Sequence, residues 1–206
     1  MRESSQQQHQ EAESSPFVAA LMRGELSLGD YTTYLVQLAW LYDALERQVA
    51  NGVARPTSEP LWDSRLNRLD AITADLAELG IADWRKTTAP SSSMATYIAH
   101  LDSLSGRADV RLVAHHYTRY LGDLSGGQAI AALVARHYGA TPAQLSFYRF
   151  DDIDDIVRYK EAYRGHLDGL DLTPEESATL ITEVQLAFTM NQRVFDELSV
   201  VPAPAG

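Results

Sequence analysis

The stretch Leu112–Tyr138, LVAHHYTRYLGDLSGGQAIAALVARHY, decides the fold. On its first flank Leu112, His116, Arg119 and Tyr120 recur at three- and four-residue steps; on its second Ile130, Leu133, Val134 and His137 do the same. Both flanks therefore read as helix. Between them sit Gly122, Gly126 and Gly127. A glycine inside a helix costs about 1 kcal/mol relative to alanine. Such crowding predicts a helix that kinks, or one that lets something press against its backbone. Asp123 and Ser125 lie among the glycines, with Tyr117 and Tyr120 just before them, so the same stretch reads as a site.

Outward from this stretch the pattern stays helical. Phe17 to Met22 follows Pro16 and ends at Gly24. Ser27 through Val49 carries the stripe Tyr31, Tyr34, Leu35, Leu38, Tyr42, Leu45 and Val49 behind a Ser27/Asp30 cap. A helix is expected from Trp62 to Leu79, a loop from Trp84 to Ser92, and a helix from Met94 to Leu104. Asp151 and Asp152 are expected to cap a helix running to about Leu170. Thr173-Pro174-Glu175-Glu176 combines an N-cap, proline at N1 and glutamate at N3 ahead of the last helix. No strand alternation or internal repeat appears. The expectation is an all-α, single-domain bundle of about eight helices over residues 1–206, with a frayed tail from about residue 200.

The totals restrict function. A net charge of −11 argues against a nucleic-acid partner, which needs a basic face. With no cysteine, thiolate ligands and iron–sulfur clusters are excluded. No apolar run reaches the ~20 residues of a membrane span, and the start MRESSQQQHQEAESS lacks the apolar core of a signal peptide. A cytoplasmic protein is expected.

The six histidines do not form a local metal motif: no Glu-x-x-His pair and no His-Glu-x-x-His occurs. That argues against a multi-ligand zinc site and leaves one histidine sharing a metal with a cofactor, as in haem proteins. His9 has Glu13 one helical turn on, where a carboxylate can take one ring N–H and free the other nitrogen. By spacing alone His9 reads rather as a surface residue of a polar tail. His115 and His116 read as structural, and His100, His137 and His166 as structural or surface. Asp123, between Leu121 and Leu124, has Arg119 one turn earlier and Tyr117, Tyr120, Tyr42, Tyr97 and Asn191 as possible partners. Such a cluster can relay protons or merely fix the fold. Lys160, Tyr163 and Arg164 share one helical face and could clamp an anion, or be solvated.

The run YTRYLGDLSGGQ, Tyr117–Gln128, resembles the distal-helix signature of the haem oxygenases. HQEAESSPF at 9–17, LYDALE at 41–46, YKEAYR at 159–164 and FTMNQRVFDEL at 188–198 resemble further family segments in order. The resemblance implies haem sandwiched between a proximal N-terminal helix and the glycine-kinked distal helix. It implies His9 as axial iron ligand with Glu13 behind it, and Gly122 and Gly126 bringing backbone to the distal face. Asp123 would anchor waters with Tyr42, Arg119, Tyr97, Tyr120 and Asn191 to deliver protons during oxygen activation. Tyr117 and Ser125 would border the haem, Lys160, Tyr163, Arg164 and Arg2 would hold its propionates, and Phe188 and Phe195 would contact it. His115 would be structural. The implied reaction is cleavage of haem to biliverdin, carbon monoxide and ferrous iron with O2. Its electrons would come from a ferredoxin or flavoprotein reductase, since no flavin or nicotinamide fingerprint occurs. Members from eukaryotes carry an apolar tail where this chain ends VVPAPAG, so a soluble, bacterial-type enzyme, monomeric or weakly dimeric, is expected. A non-catalytic haem carrier or sensor on the same fold is the alternative.

Overall fold

The computed structural model describes residues 15–200. Arg2, His9 and Glu13, and with them the expected proximal segment, lie outside the described residues. Among the described residues there are eight α-helices, five short 3₁₀ turns and no strand. The helices are α1 (Pro16–Arg23), α2 (Leu28–Ala50), α3 (Leu69–Glu78), α4 (Trp84–Thr87), α5 (Ser92–Asp102), α6 (Val110–Tyr138), α7 (Ile156–Asp168) and α8 (Pro174–Val200).

The ends of the long helices follow their local sequence. Ser27 and Asp30 cap α2 reciprocally, Asp30 N–H donating to Ser27 Oγ at 3.1 Å and Ser27 N–H to Asp30 Oδ2 at 2.8 Å. Thr173 and Glu176 do the same for α8. Asp109 Oδ1 accepts from Arg111 N–H to start α6, and Gly139 at φ +69° closes it.

Four expected boundaries are corrected. The helix predicted from Trp62 begins only at Leu69; 3₁₀ turns at Glu59–Leu61 and Ser64–Leu66 come first. The start is set by Glu46, reaching across from α2: its Oε1 accepts from Arg68 N–H (2.6 Å) and Leu69 N–H (3.0 Å). An anionic acceptor at the positive end of α3 fixes where that helix begins. The Trp84–Ser92 loop contains the single-turn helix α4, which buries Trp84 edge-on against Trp40 at 4.9 Å. Helix α5 ends at Asp102, before Leu104. The cap of α7 is Asp155, which accepts from Arg158 N–H, rather than Asp151 or Asp152.

Helix α6 lies in the middle, touching α1, α2, α7 and α8, and packs most extensively on α8. Leu112, Val113, Tyr120, Leu121, Leu124 and Val134 bury its inward face in one core with α2 and α8. At the approach to α6, Gly106 sits at φ +71°, and a Cβ there would lie 2.6 Å from the Asn51 carbonyl oxygen. The Arg107 N–H bonds that same carbonyl at 3.1 Å, tying the end of α2 to the start of α6. Gly106→Ala is therefore expected to cost about 2 kcal/mol or more, from left-handed strain plus a backbone clash. Urea denaturation checks this, and an unchanged midpoint would refute it.

Candidate functional site

The helix runs unbroken through the glycine cluster, and none of Gly122, Gly126 or Gly127 has a positive φ. The cluster serves two ends. A Cβ at Gly127 would stand 3.1 Å from Tyr148 Cδ1, so this glycine admits the Tyr148 ring. Gly122 and Gly126 face no atom within 4 Å. They border a cleft of about 210 Å³, whose other walls include Tyr34, Phe147, Phe188 and Phe195. The α6 wall is thus bare backbone at Gly122 and Gly126, and the facing walls are largely aromatic.

At the inner end of the cleft, Asp123 and Arg119 pair one turn apart on α6, Arg119 Nη2 donating to Asp123 Oδ1 at 3.2 Å. Tyr42 of α2 donates its hydroxyl to Asp123 Oδ2. Arg119 also donates to Asn191 Oδ1 of α8 (3.2 Å) and to the Tyr42 oxygen (3.4 Å). Three helices thereby fix one carboxylate. Burial raises the Asp123 carboxyl above its usual range, against the pull of Arg119 and Tyr42. Burial likewise pushes the Tyr42 hydroxyl well up, so it stays a donor. Arg119 remains charged because Tyr42 and Asp123 outweigh its desolvation. Its Nε is buried without a hydrogen-bond partner among the described residues. The result is a carboxyl poised nearer neutrality than a surface one, with a fixed cation and a fixed O–H beside it.

Several expected members stand elsewhere. Tyr120 gives its hydroxyl to Glu46 at 3.4 Å and touches Tyr42 only through its ring. Tyr97 is one step removed: its hydroxyl hydrogen-bonds His115 Nδ1 at 2.9 Å, with Asn191 as a neighbour. Tyr163 turns inward, bonding His116 Nδ1 at 2.7 Å and stacking on that ring at 5.8 Å. Its hydroxyl is therefore committed within the core, whereas an anion clamp needs it free. His116, enclosed by Trp62, Tyr120 and Tyr163, has its pKa lowered to about 3 by burial and stays neutral. Tyr117 is half-buried against the core and does not line the cleft. Lys160 does reach the cleft's rim, donating to Ser125 Oγ at 3.2 Å, and Arg164 on the same helix has no ion pair among the described residues.

Four participants were not anticipated. Tyr34 lines the cleft beside Arg119, Phe147 and Tyr148 bring a 3₁₀ turn against it, and Glu46 holds Tyr120. Tyr34 could have been found, since it lies two turns before Tyr42 on the α2 stripe. Nothing in the local sequence of Phe147 or Tyr148 points to a cleft 20 residues away along the chain from Gly127.

A family model described as heme oxygenase matches residues 1–197. The chain belongs to the haem oxygenase family. It is 32% identical over 201 residues to the heme oxygenase of Guillardia theta, covering 97% of this chain and 85% of that one. To the heme oxygenase of Porphyra purpurea it is 31% identical over 200 residues, with the same shares covered. The crystal structure of heme oxygenase-1 from Synechocystis sp. PCC6803, in complex with heme, superposes with a TM-score of 0.89 at 30% identity, covering 96% of this chain and 89% of that one. The all-helical fold and the bare-backbone cleft of this haem oxygenase thus sit in a family with a haem-bound member. No helix among its described residues is long and apolar enough to cross a membrane.

The cleft fits a haem on its own terms. A flat macrocycle needs a wall without side chains, which Gly122 and Gly126 provide, and apolar aromatic neighbours, which Phe188 and Phe195 provide. Lys160 at the rim supplies a cation for an acidic substituent.

Proposed function

We propose that this haem oxygenase cleaves haem to biliverdin, carbon monoxide and ferrous iron, using O2 and electrons from an external ferredoxin or flavoprotein reductase. The observation that carries the reading is the joining of a side-chain-free helix wall to a buried Asp123–Arg119–Tyr42–Asn191 cluster. Haem, when bound, supplies the iron that takes up O2 and the macrocycle that is opened.

The chain's own residues do the rest. Gly122 and Gly126 would let the ring approach the α6 backbone without side chains crowding it. Phe188 and Phe195 would keep water from it, and Lys160, with Arg164, would hold the propionates by charge. His9, together with Glu13, would hold the iron, a reading supported by the family resemblance of the segment at 9–17. Asp123 is the proton-transfer group: its raised carboxyl can take up a proton and pass it on through water. Arg119 and Asn191 fix its orientation, and Tyr42 keeps a donor trained on it. Tyr97 and Tyr120 are positioning residues, acting through Asn191 and Tyr42.

Mixing the protein with haemin and a reductant in air tests this. The Soret band should decay as bilin absorption grows and carbon monoxide is released. A persistent band without either product would leave haem binding but reject turnover, in favour of a carrier.

A further inference from the structure

His100 of α5, His115 of α6 and Glu183 of α8 converge at a point the cleft does not use. His115 Nε2 lies 2.9 Å from Glu183 Oε1, and His100 Nε2 contacts the same oxygen. The three potential ligand atoms all lie within 4.8 Å of one another. The imidazoles are 5.3 Å apart between ring centres. His115 is fully buried, while the His100 side chain is 21% exposed, leaving a route from solvent.

We propose that His100, His115 and Glu183 form a binding site for a divalent cation of the zinc class. Two imidazole nitrogens and one carboxylate oxygen are a ligand set that zinc takes with a fourth position left to water. In a tetrahedral site with bonds of about 2.0–2.1 Å, neighbouring ligand atoms stand about 3.3 Å apart. The present atoms need only small side-chain shifts to reach that spacing. Glu183 is the anionic member: burial works against its charge, but the two imidazoles outweigh it and hold its pKa below the usual range. His115, its pKa lowered by burial, is neutral, as a ligand must be. Tyr97 bonds the far nitrogen of His115 and so holds the ring in its ligating orientation.

The site communicates with the cleft. Without metal, His115 carries its proton on Nε2 for Glu183 and accepts from Tyr97 O–H on Nδ1. A cation on Nε2 requires that proton to sit on Nδ1. The Tyr97 oxygen, which neighbours Asn191, the partner of Arg119, must then accept it. Loading the site thus reverses one bond at Tyr97, which reaches Asp123 through Asn191 and Arg119.

The test uses tag-free, haem-free full-length protein titrated with zinc chloride by calorimetry, with a thermal melt beside it. Wild type should bind one zinc per chain and melt higher with zinc, because the ion ties α5, α6 and α8 together. His100→Ala, a partly exposed change, should fold normally, bind at least about 10–100-fold more weakly and lose the zinc-dependent rise in melting temperature. His166→Ala, remote from the cluster, should behave as wild type. No saturable binding by wild type, or equal binding by His100→Ala, overturns the proposal. Haem turnover is not a readout here, so this test can fail without touching the proposed reaction.

Discussion

Gly126→Leu is expected to melt at a higher temperature than the wild type and to lose at least about 100-fold in haem affinity. The two effects have one cause. Nothing lies within 4 Å of a Cβ at Gly126, so the new side chain meets no clash on α6. Exchanging a mid-helix glycine for a good helix former contributes about 0.5–1 kcal/mol, which for a protein of this size raises the melting temperature by a few degrees. The four added carbons then occupy the space that the bare backbone leaves open, beside the Phe188 and Phe195 walls. A rigid macrocycle cannot refold around them, and the lost contact with the helix exceeds the ~2.7 kcal/mol that 100-fold represents. Calorimetry and a haemin titration at the Soret band measure both. Unchanged haem affinity would show that the ring does not lie against this wall. A lower melting temperature would show that Gly126 has a hidden packing role.

What the sequence reveals and what it hides divide along a physical line. The long helices were legible because their signals are local: the Ser27/Asp30 and Thr173/Glu176 caps stabilise the helices they sit on. The glycine cluster was legible as a site because its cost is local too. The start of α3 was not, because its cap is Glu46, 22 residues earlier on another helix. The same holds for the Ser146 and Phe147 N–H groups, which Asp75 accepts at 2.8 Å each. Buried carboxylates spent on distant backbone amides leave no mark in spacing. The Asp123 partners show the limit in the other direction. Arg119 at one turn was readable from α6, whereas Tyr42 and Asn191, on other helices, stood only among several possible partners until the family resemblance gave them a role. Tyr120 looked equivalent to them in sequence yet bonds Glu46, and Tyr163, expected in the anion clamp, bonds His116. Which face of a helix a tyrosine hydroxyl leaves by depends on neighbours that only packing supplies. His100, His115 and Glu183 lie on three helices, beyond the reach of a spacing rule.

Asp123→Asn is expected to keep haem binding within a few-fold and to lower biliverdin formation about 10²–10⁴-fold, the usual worth of a positioned proton-transfer group. Asparagine keeps the shape of the residue and an oxygen for Arg119, so the α6 wall is undisturbed. It can neither take up a proton nor receive the Tyr42 O–H on the side where its amide nitrogen stands. Two outcomes separate chemistry from architecture. If Asp123 only braces the fold, the variant should melt lower and bind haem poorly, with turnover falling only in step with binding. If it moves protons, haem affinity should persist while turnover collapses, and oxygen consumption should continue as reductant is drained without ring opening. Tyr42→Phe supplies the control. It removes the donor that faces Oδ2 but leaves the carboxylate, so it should slow turnover by a smaller factor than Asp123→Asn. Equal losses from both variants would assign the proton to the tyrosine hydroxyl, and full activity in Asp123→Asn would refute the role given to the carboxylate.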